Sequence, residues 1–264
     1  MKNLLGQLSS SCYYLHINKT GGSSFSAVIR RSFPEFLVCP AGLAKELIAI
    51  PSKKLLTYKY YSGHFGLGLP LMLPLVKRLR LRTFTVLRDP VDRSLSQLNA
   101  YFRNKGTYFH DLVSSVECDV EKCLQNERIL SALSNYQSKC LAIPVRFDKF
   151  SLIQQCGGNF QELLVRASSG FTEDELFGRA SRSLQGFCFV GLTEKMEESS
   201  ERLSRVLGLP SFDVVPRVNV SAVNPYTGLV NSLNRGHVSA AVIRKLEEIN
   251  RADLRLYDHV VRGW

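Results

Sequence analysis

A short apolar run, Tyr13 to Ile17, bounded by Ser and Asn, suits a buried strand near the start of the chain. Beyond Gly21 and Gly22 the pattern predicts a helix over about 24–32, with Phe25, Val28 and Ile29 on one face. Segments 55–61 and 82–87, rich in Tyr, Thr, Phe and Val, read as further strands. Asp89-Pro90-Val91-Asp92 is a strong helix start: an Asp cap, Pro at the first helical position and an acid at the third. That helix is expected to run to about Phe102. Shorter helices are predicted over 121–133 and 159–167. An apolar strand follows over 187–192, then a helix over 194–207 that stops at Gly208-Leu209-Pro210. Between Ser239 and Val261, the residues Val242, Leu246, Ile249, Leu256 and Val260 recur at helical spacing. Strands alternating with helices predict an α/β fold with a largely parallel central sheet. Segment 210–235 carries Asn, Pro and Gly without periodicity and reads as a functional loop. The chain has no internal repeat and no long linker, and its 264 residues fit one core, so 1–264 is expected to form one domain.

Charge narrows the partners. The chain has 34 Lys and Arg against 23 Asp and Glu, a net +11, which favours a polyanion. Nucleic acid, an anionic membrane, a sulfated or carboxylated sugar and a phosphate-rich nucleotide all qualify. No run approaches the ~20 apolar residues of a membrane span. The nearest candidate, Gly66 to Val76, is broken by Pro70 and Pro74. The mildly apolar start at Leu4 and Leu5 soon meets polar Ser9–Ser11, so no secretory leader is expected. The seven cysteines form no CxxC pair, and Cys118 and Cys123 have no His nearby, which argues against zinc and for buried thiols in a reducing compartment. A soluble, cytoplasmic protein is the expectation.

Two strand-to-helix junctions carry the chemistry. In the first, Lys19-Thr20-Gly21-Gly22-Ser23-Ser24 follows the first strand and enters a helix. A glycine-rich turn at a helix N-terminus offers free backbone N–H groups and a positive dipole end to a phosphate-like anion. Lys19 adds a mobile charge, and Thr20, Ser23 and Ser24 add hydroxyl donors. The order differs from a Walker A loop, because the Lys precedes the glycines, and this argues against an ATP or GTP hydrolase. The plain alternative is an ordinary βα turn with a solvent-facing Lys. In the second junction, Arg88 ends a strand and Ser96 stands eight residues on, about two turns into the next helix. An Arg fork can hold a phosphate while the serine donates from the same side. Here the alternative pairs Arg88 with Asp92 and leaves Ser96 to solvent. Two such sites together suggest a ligand with phosphate groups at both ends.

These segments resemble the sulfotransferases that use 3′-phosphoadenosine 5′-phosphosulfate (PAPS). Lys19 to Ser24 is similar to their 5′-phosphosulfate loop, and Arg88-Asp89-Pro90-Val91-Asp92-Arg93 with Ser94-Leu95-Ser96 to their 3′-phosphate motif. Asn135 to Ala142 resembles the Asn-x-Gln-Thr-Arg-x-Leu-Ala segment of carbohydrate sulfotransferases. Phe189 to Glu194 and Asn250 to Tyr257 resemble late family segments. Tyr61-Ser62-Gly63-His64-Phe65 is closest to the heparan-sulfate or uronyl 2-O-sulfotransferase branch, where a Gly-His after a strand carries the general base.

The resemblance implies a P-loop-like α/β fold and transfer of a sulfuryl group from PAPS to an acceptor hydroxyl. It assigns His64 to the incoming hydroxyl and Lys19 to the leaving 5′-phosphate oxygen. Thr20, Gly21, Gly22, Ser23 and Ser24 would hold the 5′-phosphate, and Arg88 and Ser96 the 3′-phosphate. Arg217, Asn219 and Ser221 would close on the nucleotide from the late loop. No metal is required, since cationic side chains do the neutralising. An imidazole near pKa ~6.5 suits proton abstraction at neutral pH, whereas His16, inside the first strand, reads as structural. A saccharide, a lipid or polyketide alcohol and a carrier-bound hydroxyacyl group are all compatible acceptors; an acidic saccharide or a carrier protein would suit the +11 charge. The first strand leaves no room before it for the membrane anchor of animal Golgi relatives, so no transmembrane anchor is expected. The run Lys77 to Arg82 is compatible with an acidic acceptor, but reads better as a solvated stretch ahead of a strand. Two other functions are weighed: a P-loop nucleotide kinase, which would need ATP and magnesium, and a non-catalytic nucleic-acid-binding protein. The latter lacks any recognisable nucleic-acid module, and no nucleic-acid partner is expected.

Overall fold

The computed structural model describes residues 10–146, 148–154, 156–210 and 233–264. Its centre is a four-stranded, wholly parallel sheet of β1 (Cys12–Leu15), β2 (Tyr60–Gly63), β3 (Arg82–Leu87) and β4 (Phe189–Leu192), in the order β2-β1-β3-β4. β1 is central, with Leu15 opposite Gly63 on one side and Thr85 on the other. The α/β expectation therefore holds. The chain runs from β1 outward to β2, then returns across β1 to β3 and on to β4. This reversal leaves a crevice at the carboxyl ends of β1 and β3, the place where open α/β sheets bind ligands.

Period-two alternation explains why both faces are covered. Tyr13, Leu15, Tyr61, Leu87 and Leu192 enter one core, while Cys12, Tyr14, Tyr60, Phe84 and Val86 enter the other. Helix α1 (Gly22–Arg30) closes the second core with Phe25 and Ile29. Further along the chain, after several single turns, come the short helix α2 (Leu75–Leu79) and α3 (Pro90–Arg103). The Asp89 carboxylate caps α3, accepting from the backbone N–H groups of Val91 and Asp92, both at 3.0 Å. The first core is closed by α4 (Tyr136–Ala142), α5 (Glu173–Gln185) and α8 (Arg251–Arg262). Helix α6 (Met196–Leu207) adds Leu203 and Leu207 to the second, and α7 (Ala240–Ile249) packs Val242 and Leu246 with Leu95, Leu98 and Phe102 of α3.

Several boundaries differ from the sequence expectation. Residues 55–59 are not strand: Leu55 ends a single turn, Ser52–Leu55, and pairing begins only at Tyr60. The helix expected over 121–133 is two, Val120–Cys123 and Glu127–Leu133, because the Asn126 side chain starts the second by accepting from Arg128 and Ile129 N–H. The C-terminal periodic stretch likewise divides at Asn250 into α7 and α8. Segment 211–232, which holds most of the expected functional loop, lies outside the described residues. No helix among the described residues is long and apolar enough to cross a membrane.

A buried polar knot ties α4 to α8. The Asp253 carboxylate, fully buried, accepts from the backbone N–H of Gln137 at 3.0 Å and of Ser138 at 2.6 Å. In return, the Asn135 side-chain carbonyl accepts from Ala252 and Asp253 N–H. Arg93 is buried beside them over the Tyr136 ring, donating to the Leu133 carbonyl at 2.9 Å. The paired Asp253 carboxylate and Asn135 amide fix where the first turn of α4 sits, while Arg93 Nε and Nη1 stay buried without a partner among the described residues.

Candidate active site

All four strands deliver polar groups to the same pole of the sheet: His16 and Lys19 after β1, His64 after β2, Arg88 after β3, and Thr193 and Glu194 after β4. The loop after β1 is held from three sides. The Thr193 hydroxyl stands 2.8 Å from the Thr20 carbonyl and 3.0 Å from that of Leu87. Asn18 donates to the Tyr136 hydroxyl at 3.1 Å, and Arg88 Nη1 donates to the Lys19 carbonyl at 3.1 Å. Lys19 is held at φ 70° and Gly21 at φ 73°. The left-handed conformation costs a lysine about 1–2 kcal/mol, strain of the kind that collects at ligand sites.

The N-cap of α1 is Gly21, which has no capping side chain, so among the described residues no N-cap bond takes up the N–H groups of the first turn, and they can face a ligand. Thr20 departs from the expectation: its hydroxyl is buried and donates to the Ile17 carbonyl at 3.0 Å, so that side chain is already engaged within the loop. Gly22 departs too. A Cβ there would meet His16 Cδ2 at 2.0 Å, so this glycine makes room for an imidazole as well as for any anion.

That imidazole leads to His64. The two rings lie 4.3 Å apart, with His16 stacked on Tyr14 on its other side. His64 Nδ1 stands 2.8 Å from the His16 carbonyl. A carbonyl only accepts, so Nδ1 carries the proton and Nε2 keeps a free lone pair, as a base requires. Burial holds the His64 pKa below the ordinary imidazole value; the bond to the carbonyl opposes this, and Lys19 adds to it. His64 is therefore neutral at pH 7. His16 was read as structural from the sequence, and it is also the group that fixes the His64 tautomer. The signal for this was its place at the end of β1, beside the end of β2.

Lys19, Arg88 and Arg103 form a cationic cluster. Burial, then Arg103, then Arg88 lower the Lys19 pKa to about 8. None of the three has a carboxylate partner within 4.0 Å among the described residues. The alternative pairing of Arg88 with Asp92 does not occur, because Arg235 takes both acids, reaching Asp92 at 3.0 Å and Asp89 at 2.6 Å. Ser96 is half-buried, with no hydrogen-bond partner among the described residues. Arg103 was not anticipated; Asp92, Ser96, Asn99 and Arg103 follow one another at helical spacing along α3. Gln137 was also missed as a site residue. Its side chain brackets the Arg88 backbone, accepting from Arg88 N–H at 3.0 Å and donating to the Arg88 carbonyl at 2.8 Å. Arg217, Asn219 and Ser221 lie outside the described residues.

Unneutralised cations, an open helix N-terminus and an unpartnered hydroxyl on one crevice make a site for an anion with more than one charged group. The neutral imidazole beside it has a lone pair able to accept a proton. A model of the Sulfotransferase family matches residues 9–259, and the chain belongs to that family. Among solved structures, a sulfotransferase from Alicyclobacillus acidocaldarius is similar at 12% identity, with a TM-score of 0.49 over 96% of each chain. No curated protein matches the chain.

Proposed function

We propose that this member of the sulfotransferase family takes its sulfuryl group from PAPS and passes it to an acceptor hydroxyl, with His64 as general base, in one catalytic domain spanning 1–264. The observation that carries this is the His64–His16 bond, which leaves Nε2 free at the same pole as Lys19 and Arg88. The donor set fits the nucleotide. The loop after β1 and the first turn of α1 (Lys19, Thr20, Gly21, Gly22, Ser23, Ser24) would hold the 5′-phosphosulfate, and Arg88 and Ser96 the 3′-phosphate. Arg217, Asn219 and Ser221 complete the proposed nucleotide site. When bound, PAPS supplies the activated sulfuryl group.

The chain's own residues do the rest. His64 Nε2 takes the proton of the acceptor hydroxyl, and its Nδ1–H stays on the His16 carbonyl, so the ring does not turn as charge develops. Lys19 and Arg88 meet the negative charge that gathers opposite, in positions fixed by Thr193, Tyr136 and Gln137 before any ligand arrives. The Gly63-His64 placement favours a saccharide hydroxyl as acceptor, as in the uronyl 2-O branch; a lipid or polyketide alcohol or a carrier-bound hydroxyacyl group are the alternatives. A cytoplasmic location belongs to the same proposal.

Calorimetric titration with 3′-phosphoadenosine 5′-phosphate (PAP) tests it, with ATP plus magnesium and a DNA duplex as controls. Micromolar binding of PAP alone, lost in Arg88→Ala, is expected. His64→Ala should keep that binding and lose transfer by about 10²–10⁴-fold. Binding of ATP or DNA in place of PAP, or wild-type turnover by His64→Ala, would overturn it.

A further inference from the structure

The basic run 77–82 is not part of the crevice. Helix α2 leads into the start of β3, so it lies at the amino ends of the strands, the pole opposite His64 and Lys19. Lys77 Nζ ties α2 to the segment before β2, donating to the Leu56 carbonyl at 2.6 Å and to that of Tyr58 at 2.7 Å. The same segment is tied to the single turn Glu35–Leu37, with Lys59 N–H donating to the Leu37 carbonyl at 2.8 Å. These bonds gather 35–37, 56–59 and α2 at one end of the molecule.

That end is apolar and positively charged together. Phe36 is 71% exposed, Leu75 56%, Val76 68% and Leu79 76%, and Leu56 is exposed beside them. Isolated exposed apolar side chains are ordinary, but this group is concentrated. Lys53, Lys54, Arg78 and Arg80 are exposed around it, and Lys59 half so. Between Glu46 and Asp89 the sequence holds no acidic residue at all, so among the described residues of 35–37, 52–59 and 74–82 that form the patch Glu35 is the one acid.

We propose that this pole is a docking surface for an anionic lipid bilayer. Apolar tips entering the acyl boundary and cationic heads meeting acidic headgroups are the two contributions that bind a protein to a membrane surface. Nucleic acid would use the cations and leave the apolar tips in water. Seating at this pole leaves the crevice, at the other end of the strands, facing the aqueous phase, where a soluble nucleotide reaches it. The proposal does not depend on the identity of the cofactor.

The test is co-sedimentation of the full chain with phosphatidylcholine vesicles, alone or with 30 mol% phosphatidylserine, a composition on the order of anionic cytoplasmic leaflets. Binding to the anionic vesicles only, weakening as salt is raised, is expected. Arg78→Gln/Arg80→Gln should weaken it by about fivefold per charge. Leu75→Ser/Leu79→Ser should weaken it by at least about tenfold. Both pairs are surface changes, and both should keep the circular dichroism spectrum and denaturation midpoint of the parent. Four outcomes overturn the proposal: no vesicle binding; binding indifferent to both double variants; binding lost with the charges alone while a DNA duplex competes for it; or a dimer in sedimentation that the leucine variant dissociates.

Discussion

Gly22→Ala sets two opposing effects against each other, and the structure says which wins. Replacing a helical glycine by alanine stabilises by at most about 1 kcal/mol. The added methyl would stand 2.0 Å from His16 Cδ2, 2.1 Å from His16 Nε2 and 2.7 Å from the Tyr14 hydroxyl. Carbon contacts settle near ~3.5 Å, so the ring would have to retreat by about 1.5 Å. It has nowhere to go, since it lies between Tyr14, ring centroids 5.3 Å apart, and His64 at 4.3 Å. Overpacking of this kind costs about 1–3 kcal/mol and outweighs the gain, so a net loss of up to about 2 kcal/mol is expected. Gly178 is the control: it stands within α5, and a Cβ there would meet nothing within 4 Å. Gly178→Ala should therefore stabilise by about 0.5–1 kcal/mol. Urea unfolding of both variants against the parent, followed by fluorescence, measures the two numbers directly. If Gly22→Ala unfolds at the same or higher urea than the parent while Gly178→Ala behaves as expected, His16 does not occupy the space beside Gly22.

Two further outcomes follow from the site. The pH profile of kcat/KM reports groups of the free protein. In its proposed role His64 works when neutral, and its pKa is depressed, so the acid limb should fall below the ordinary imidazole range. In its proposed role Lys19 works when charged, and its pKa is lowered to about 8, so activity should decline as pH rises through that value. Lys19→Arg stays charged and should remove the alkaline limb from whatever activity remains; an unchanged limb would assign it elsewhere. Gln137→Ala removes both bonds that bracket the Arg88 backbone and should weaken PAP binding by about tenfold. Equal weakening of a nucleotide lacking the 3′-phosphate would show that Gln137 does not act through Arg88.

The sequence by itself determined what is local. β3 starts and stops where its run of Thr, Phe and Val does, and Asp89 caps α3 because an Asp-Pro start satisfies the helix N-terminus wherever it is placed. The glycine loop with Lys19 and the strand-end Arg88 were legible for the same reason: each is a strand running into a helix, written in consecutive residues. Helix breaks were less legible, because periodicity continues through Asn126 and Asn250 while a side-chain cap or a buried turn interrupts the backbone. Only the tertiary structure decided which distant groups meet. His64 Nδ1–H finds its hydrogen-bond acceptor 48 residues away in the His16 backbone carbonyl, Gln137 brackets Arg88 across 49, and Arg235 takes Asp92 across 143, leaving Arg88 free of it. No periodicity encodes those partners. They follow from the parallel order β2-β1-β3-β4, which brings the carboxyl ends of strands far apart in the chain to one crevice, and from the buried Asp253 that sets the first turn of α4 against it.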